Sequence, residues 1–199
     1  MEFSHKSVLL NETIENLDIK EDGIYADLTL GKGGHSKEIL KKLSPNGLLI
    51  GLDQDKDAIK AARENLKDFS VRATISNVLY FNENFENIEN VLDEAGFNRI
   101  DGALMDIGVS SYQIDNEDRG FSYMKDGPLD MRMNKDNELT AKQIVNDYSL
   151  DELWKIFSEY GEERYSKTIA KAIVDYRKMH EINTTLQLRN IVMKSVNTS

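Results

Sequence analysis

The run Leu48-Leu-Ile-Gly-Leu-Asp53 is apolar at every position before its closing acid. A strand with one wet face alternates apolar and polar residues. An unbroken apolar run belongs to a strand covered on both faces, as in a parallel sheet flanked by helices. The neighbouring segments agree. Gly23-Ile-Tyr-Ala-Asp-Leu28 is short, β-prone and followed by glycines, so it reads as a strand. His35 to Leu43 reads as a helix stopped by Ser44-Pro45-Asn46-Gly47. Lys56 to Leu66 reads as a helix, Val71 to Ile75 as a third strand, Phe85 to Ala95 as a helix, and Ile100-Asp-Gly-Ala-Leu-Met-Asp106 as a fourth strand. Ahead of them, Ser7 to Leu17 spaces Leu10, Ile14 and Leu17 as a helix does, with Ser7 placed to cap it. Strict alternation of strand and helix implies right-handed crossovers and a parallel sheet, an α/β fold.

The pattern breaks after Asp106. Residues 107 to 138 are polar, rich in Gly, Asp and Met, and without a period, and a loop that long is usually functional or disordered. From Thr140 the chain reads as helices over about 140–147, 150–159, 162–179 and 184–196. The expected organisation is a partial parallel sheet followed by a helical module.

Composition excludes several functions. No cysteine is present, which removes disulfides, thiolate metal sites and a cysteine nucleophile. No His/Asp/Glu cluster has metal-ligand spacing, so no metal is expected. No apolar run approaches the roughly 20 residues of a membrane span, and Met1 to Leu10 is not a signal peptide, so no membrane partner and a cytoplasmic location are expected. A net charge of −10 argues against indiscriminate binding of polyanions but leaves room for a local basic patch.

The chemistry concentrates at strand ends. Asp27-Leu-Thr-Leu-Gly31-Lys-Gly33-Gly34-His35 joins the first strand to the next helix. Glycines there allow positive φ and close approach of a ligand, and the following helix offers free N–H groups to an anion. Ser36 stands where the dinucleotide fingerprint has its third glycine, and Lys32 is not followed by Ser or Thr as in a Walker loop. Asp27 can pair with an ammonium group. Asp53 closes the second strand, where an acid can accept from ribose hydroxyls. An acid, a glycine loop and a second acid suit a nucleoside bearing an amino acid, such as S-adenosylmethionine. A different nucleotide, or simply a tight strand–helix turn, fits the loop as well, and Asp53 would also serve as a helix cap. Asp106, with Ser110 and Ser111 after it, ends the fourth strand on the same side of such a sheet and could orient an exocyclic amine. Arg119, Lys125 and Arg132 alternate with Phe121, Tyr123 and three methionines, a mixture suited to single-stranded nucleic acid or to a self-packed loop.

Taken together these motifs resemble one family. Gly31-Lys-Gly-Gly-His-Ser36, Leu52-Asp53-Gln-Asp55, Asp106-Ile-Gly-Val-Ser-Ser-Tyr-Gln113, Arg119-Gly-Phe-Ser-Tyr-Met-Lys-Asp-Gly-Pro-Leu-Asp-Met-Arg-Met133 and Tyr160-Gly-Glu-Glu-Arg-Tyr165 are similar to the bacterial RsmH/MraW family of 16S rRNA (cytosine-N4)-methyltransferases. The resemblance runs from His5 to about Leu188. It implies a Rossmann-like class I S-adenosylmethionine methyltransferase domain with a helical substrate domain inserted after strand four. Residues 1–110 would form the first part of the methyltransferase domain and 111–199 the loop and insertion, with the remaining sheet strands absent. The implied reaction is N4-methylation of a cytidine, conventionally position 1402, in 16S rRNA of the small ribosomal subunit. The implied cofactor contacts are Gly33, Gly34, His35, Asp53, Phe85, Asp106 and Gln113, with Asp106 also catalytic. The alternative is a truncated, inactive fragment that binds cofactor or RNA only.

Two further expectations follow. Without strands five to seven, the strand at 100–106 would be an open edge, inviting marginal stability or self-association. On a helix from Glu162 to Met179, Arg164, Lys167, Lys171 and Lys178 share one arc, either to follow an RNA backbone or as an ordinary solvated face, while Tyr165, Ile169, Ala172, Ile173 and Tyr176 face a core.

Overall fold

The computed structural model describes residues 7–69 and 77–196. It divides into two compact units, Met1–Gly108 and Val109–Ser199.

In the first unit, helix α1 (Leu10–Asn16) precedes strand β1 (Ile24–Asp27), helix α2 (Gly34–Lys42), β2 (Leu48–Leu52) and α3 (Lys56–Leu66). Strand β3 (Val78–Phe81), a 3₁₀ turn at Phe85–Asn87, helix α4 (Ile88–Ala95) and β4 (Gly102–Leu104) follow. The sheet order is β3-β2-β1-β4, all parallel. The apolar run of β2 behaves as its composition demands, because alternate residues enter different cores. Leu49 packs with Tyr25, Ile39, Leu40, Ala62 and Leu66 beneath α1, α2 and α3. Ile50 and Leu52 pack with Ala26, Leu28 and Val91 beneath α4. Each of these fully buried aliphatic chains stabilises the sheet by about 1.5–3 kcal/mol.

Several boundaries differ from the sequence reading. The expected strand Val71–Ile75 lies outside the described residues; the strand in register with β2 is Val78–Phe81, with Val78 opposite Leu49. The fourth strand is shorter than 100–106, since only Gly102–Leu104 pair with β1. Ser7 does not cap α1. His35 Nε2 lies 2.9 Å from the Val8 carbonyl, which holds residues 7–9 as a turn, and Leu9 precedes the helix in the left-handed region (φ 45°). Among the described residues β4 is an outer strand, with Ala103 and Met105 exposed.

The second unit is helical: α5 (Ser111–Asp115), a 3₁₀ turn at Glu117–Arg119, α6 (Ala141–Asp147), α7 (Leu150–Lys155) continued by a π-helical turn at Ile156–Tyr160, α8 (Ser166–Arg177) and α9 (Thr185–Val196). Capping boxes at Thr140/Gln143 and Ser149/Glu152 start α6 and α7 by satisfying otherwise unpaired N–H groups. Val145, Leu153, Ile169, Ala170, Ile173, Ile182 and Ile191 form the core, and Leu129 joins it from the long loop. The helix expected from Glu162 starts only at Ser166, because Glu162 adopts φ 49° and breaks the helical path. Tyr165 and Tyr176, expected to face the core, are 40% and 36% exposed.

The loop at 116–139 is ordered by its own cations. Arg119 is 2% exposed and donates to the carbonyls of Arg132 and Met133 at 2.9 and 3.1 Å. Arg132 clasps Asp130 with two bonds of 2.8 and 2.9 Å, and Lys125 Nζ donates to the Asp115 carbonyl at 2.8 Å. The Thr185 hydroxyl donates to the Lys125 carbonyl and accepts from the Gly127 N–H, tying the loop to the start of α9. The three basic residues read as phosphate partners are therefore engaged within the loop. Its exposed large hydrophobic side chains are Tyr123, Met124, Met131 and Leu139.

Candidate active site

The carboxyl ends of β1, β2 and β4 converge on the glycine loop. The sheet order reverses direction at β1, which pairs with the later β2 on one side and β4 on the other. In open parallel sheets that switch point opens a crevice for ligands.

The loop is held from three sides. The Leu30 N–H donates to the Leu52 carbonyl at 2.8 Å and the Gly33 N–H to the Leu30 carbonyl at 2.8 Å. The Gly31 N–H donates to Asp53 Oδ2 at 2.8 Å. The Asp106 N–H donates to Thr29 Oγ1 at 2.7 Å, which ties the segment after β4 to the same loop. Gly31 and Gly33 take left-handed φ values of 52° and 81°. A Cβ on Gly33 would lie 2.9 Å from Leu66 Cδ1, and one on Gly34 would lie 2.0 Å from Ser7 Oγ. Glycine is thus favoured at 33 by conformation and packing, whereas a side chain at 34 would have to displace the Ser7 hydroxyl.

Asp27 ends β1 and is 1% exposed. Its Oδ2 accepts from Ser36 Oγ at 2.6 Å and its Oδ1 from the Thr29 N–H at 3.2 Å. Burial pushes its carboxyl up to about 6, against the opposing pull of those two hydrogen bonds. Asp27 thereby clamps the loop from strand end to first helical turn. Asp53 is half-buried and bridges two backbone groups, the Gly31 N–H and, through Oδ1 at 2.9 Å, the Asp55 N–H. A carboxylate has about four lone-pair sites, so these two bonds are compatible with hydroxyl donors on the same group. Asp55, not Asp53, caps α3, accepting from the Asp57 N–H at 3.0 Å.

The other expected contacts divide. Asp106 is exposed just beyond β4. With His35, Val8, Thr13, Leu104 and Met105 it lines a cavity of about 420 Å³ beside the β4 edge. His35 is 8% exposed in the first turn of α2, and its Nε2 meets Val8. Phe85 opens the turn after β3 and packs against the Ile50–Leu52 core at the same end of the sheet. Gln113 belongs to the second unit, where it is 5% exposed and closes a capping box with Ser110. Sequence reasoning missed Asn82 and Asn84. They donate to the Asp53 carbonyl at 2.9 Å and to Gln54 Oε1 at 3.5 Å, so they join the end of β3 to that of β2. Two asparagines directly after a strand were the available signal.

Asp53 and Asp106 are the acids beside this loop that solvent reaches, so the crevice suits a cationic ligand with hydroxyl donors. The glycines admit a close backbone approach, so the residues present fit a nucleoside cofactor carrying positive charge.

The chain matches the family model described as the MraW methylase family over residues 2–199. Ribosomal RNA small subunit methyltransferase H of Clostridium botulinum (strain Kyoto / Type A2) is 56% identical over 196 residues, covering 98% of this chain and 62% of that protein. The protein of the same name from Clostridioides difficile (strain 630) is 53% identical over 196 residues, covering 98% and 61%. A crystal structure of an rRNA methylase from Streptococcus thermophilus is similar at TM-score 0.35 and 20% identity, covering 44% of this chain and 50% of that one. The chain therefore spans about 62% of the length of the curated relatives it matches. On a match from residue 2 to residue 199, this chain belongs to the MraW methylase family.

Proposed function

We propose that the first unit binds S-adenosylmethionine at the glycine loop, and that this chain serves the N4-methylation of a cytidine in 16S rRNA of the small ribosomal subunit. The observation that carries the reading is the Asp53 bridge. One carboxylate fixes the Gly31 N–H and stands at the end of β2, where a ribose would meet it. Gly33 and Gly34 would admit the methionine end of the cofactor, with Phe85 beside its base and His35 at the start of α2.

When bound, S-adenosylmethionine supplies an electrophilic methyl group on a positively charged sulfur. The chain's own residues then have two tasks. Asp106 accepts from the cytidine N4–H, aims the nitrogen lone pair at the methyl carbon, and takes the N4 proton directly or through water. The acids around the loop hold the positive cofactor against the strand ends. The nucleophile is the cytidine nitrogen, so no covalent enzyme intermediate is needed, in keeping with a sequence that contains no cysteine. The target base must leave its stack to enter the crevice.

No helix among the described residues is long and apolar enough to cross a membrane, and the proposed rRNA substrate fits a reaction in the cytoplasm. The exposed outer edge of β4 is where two copies of this chain would pair.

The test is transfer of labelled methyl groups from S-adenosylmethionine to small-subunit RNA, compared between the chain and Asp106→Asn. The reading predicts N4-methylcytidine, reduced at least tenfold in the variant. Labelled product of another chemistry would overturn it. Cofactor binding without transfer would confine this chain to the binding role.

A further inference from the structure

The second unit carries an aromatic and basic cluster that the crevice does not explain. Trp154, the single tryptophan of the sequence, sits in the last turn of α7 and is 39% exposed. The Lys167 ammonium from the start of α8 lies 4.8 Å from its ring centroid. Two residues earlier Tyr165 is 40% exposed, with the Arg164 guanidinium 5.8 Å from its ring centroid. Tyr160, which ends the π-helical turn, is 78% exposed. Two aromatic faces each carrying a cation stand at the junction of α7 and α8, and the turn that links the helices ends in a third, exposed aromatic.

The backbone is distorted where the cluster is built. A π-helical turn is rare, and such turns are frequent at functional sites. Glu162 holds φ 49° without being glycine, a conformation that costs free energy and persists where surroundings enforce it. Glu163 fixes the approach to α8 by accepting from the Tyr165 N–H at 2.7 Å. A solvated helix face requires neither distortion. The basic arc read along this helix also resolves differently. Lys178 pairs with Asp175 at 2.6 Å, and Arg164 precedes the helix. Arg164 and Lys167 lie instead against aromatic rings, while Lys171 stays exposed on the helix.

Local charge argues against simple attraction of polyanions. Glu159, Glu162 and Glu163 lie among Lys155, Arg164 and Lys167, and Lys155 is 3.9 Å from Glu159. A partner must gain from the rings as well as from the cations. Single-stranded nucleic acid does so, because bases stack on aromatic faces while phosphates meet the neighbouring lysine or arginine. We infer that Trp154, Tyr160 and Tyr165, with Lys167 and Arg164, form a stacking platform for a single-stranded RNA segment. The choice of RNA rests on the proposed rRNA substrate; the platform rests on the side chains.

Trp154 is also the probe. The chain is titrated with a single-stranded RNA oligonucleotide of about 12 nucleotides, within the usual site size. Tryptophan emission and anisotropy of end-labelled RNA are both followed. The platform predicts quenching of emission that saturates with binding. Trp154→Ala should weaken binding roughly 5- to 100-fold, the range for one stacked base, and Trp154→Phe should restore most of it. Arg164→Gln and Lys167→Gln should each flatten the log K against log salt slope by about 0.7. Absence of RNA binding, equal affinity for Trp154→Ala, or equal quenching by poly-glutamate would each overturn the inference. Calorimetry of S-adenosylmethionine on the same samples separates the two proposals. Lost cofactor binding with intact quenching refutes the methyltransferase reading and leaves the platform standing, while the reverse refutes only the platform.

Discussion

Replacing Asp27 by Asn should make the protein more stable at neutral pH, although it removes a buried charge that accepts two hydrogen bonds. Asp27 is 1% exposed and its carboxyl is pushed from 3.8 up to about 6, chiefly by burial. The folded state therefore holds a proton more tightly than the unfolded chain. Between those values the native protein binds more protons, so stability falls as pH rises. The favourable contribution is complete below about 3.8 and is lost as pH passes through about 6. At 1.36 kcal/mol for each pH unit, the ionised group weighs against folding by about 3 kcal/mol at pH 7. An Asn amide can keep both contacts, its oxygen accepting from the Thr29 N–H and its nitrogen donating to Ser36 Oγ, and it never ionises. Urea unfolding of both proteins between pH 4 and 8 isolates the effect, because other acids cancel in the difference. The variant should gain on the parent by about 1–3 kcal/mol across that range, with most of the gain between pH 4 and 6.5. A constant difference, or a parent that gains on the variant as pH rises, would refute the reasoning.

Other perturbations test separate parts of the structure. Gly33→Ala meets Leu66 at 2.9 Å in a left-handed conformation; it should destabilise by about 1–3 kcal/mol and lower cofactor affinity, as read by thermal melts and calorimetry. Arg119→Ala leaves two part-buried carbonyls without this donor and opens a cavity where the buried guanidinium was, so urea unfolding should show a loss of about 2–4 kcal/mol, with proteolysis concentrated in 116–139. The β4 edge should make the chain self-associate with concentration in light scattering, and Ala103→Lys should suppress this by placing a charge on that edge.

The alternation of strands and helices was legible because burial leaves its period in the residues. Leu48–Leu52 announces a doubly covered strand, and the two cores beside Leu49 and Ile50 bear that out. Lys56–Leu66 begins and ends where its acidic cap and apolar spacing place it. The family was legible for another reason, since its motifs are long and specific. What the sequence could not show is where a charged side chain spends its hydrogen bonds. Arg119, Lys125 and Arg132 read as phosphate partners, yet each satisfies carbonyls or a carboxylate of its own loop or of the helix end before it. Asp27 and Asp53 read alike at two strand ends, but one is sealed as a clamp and the other is half-buried as a bridge. Trp154 carried no pattern at all; its partner Lys167 is thirteen positions away and meets it only because α7 packs on α8.

The central claim is that the crevice around Gly31–Gly34 and Asp53 binds S-adenosylmethionine. Titration calorimetry of S-adenosylmethionine into the chain and into Asp53→Ala, with circular dichroism to establish that both are folded, tests it most directly. The account predicts one site per chain, weakened in the variant by about 1.5–3 kcal/mol, the worth of hydrogen bonds to a charged group. Equal affinity in the two proteins, or no binding by the folded parent, would contradict it.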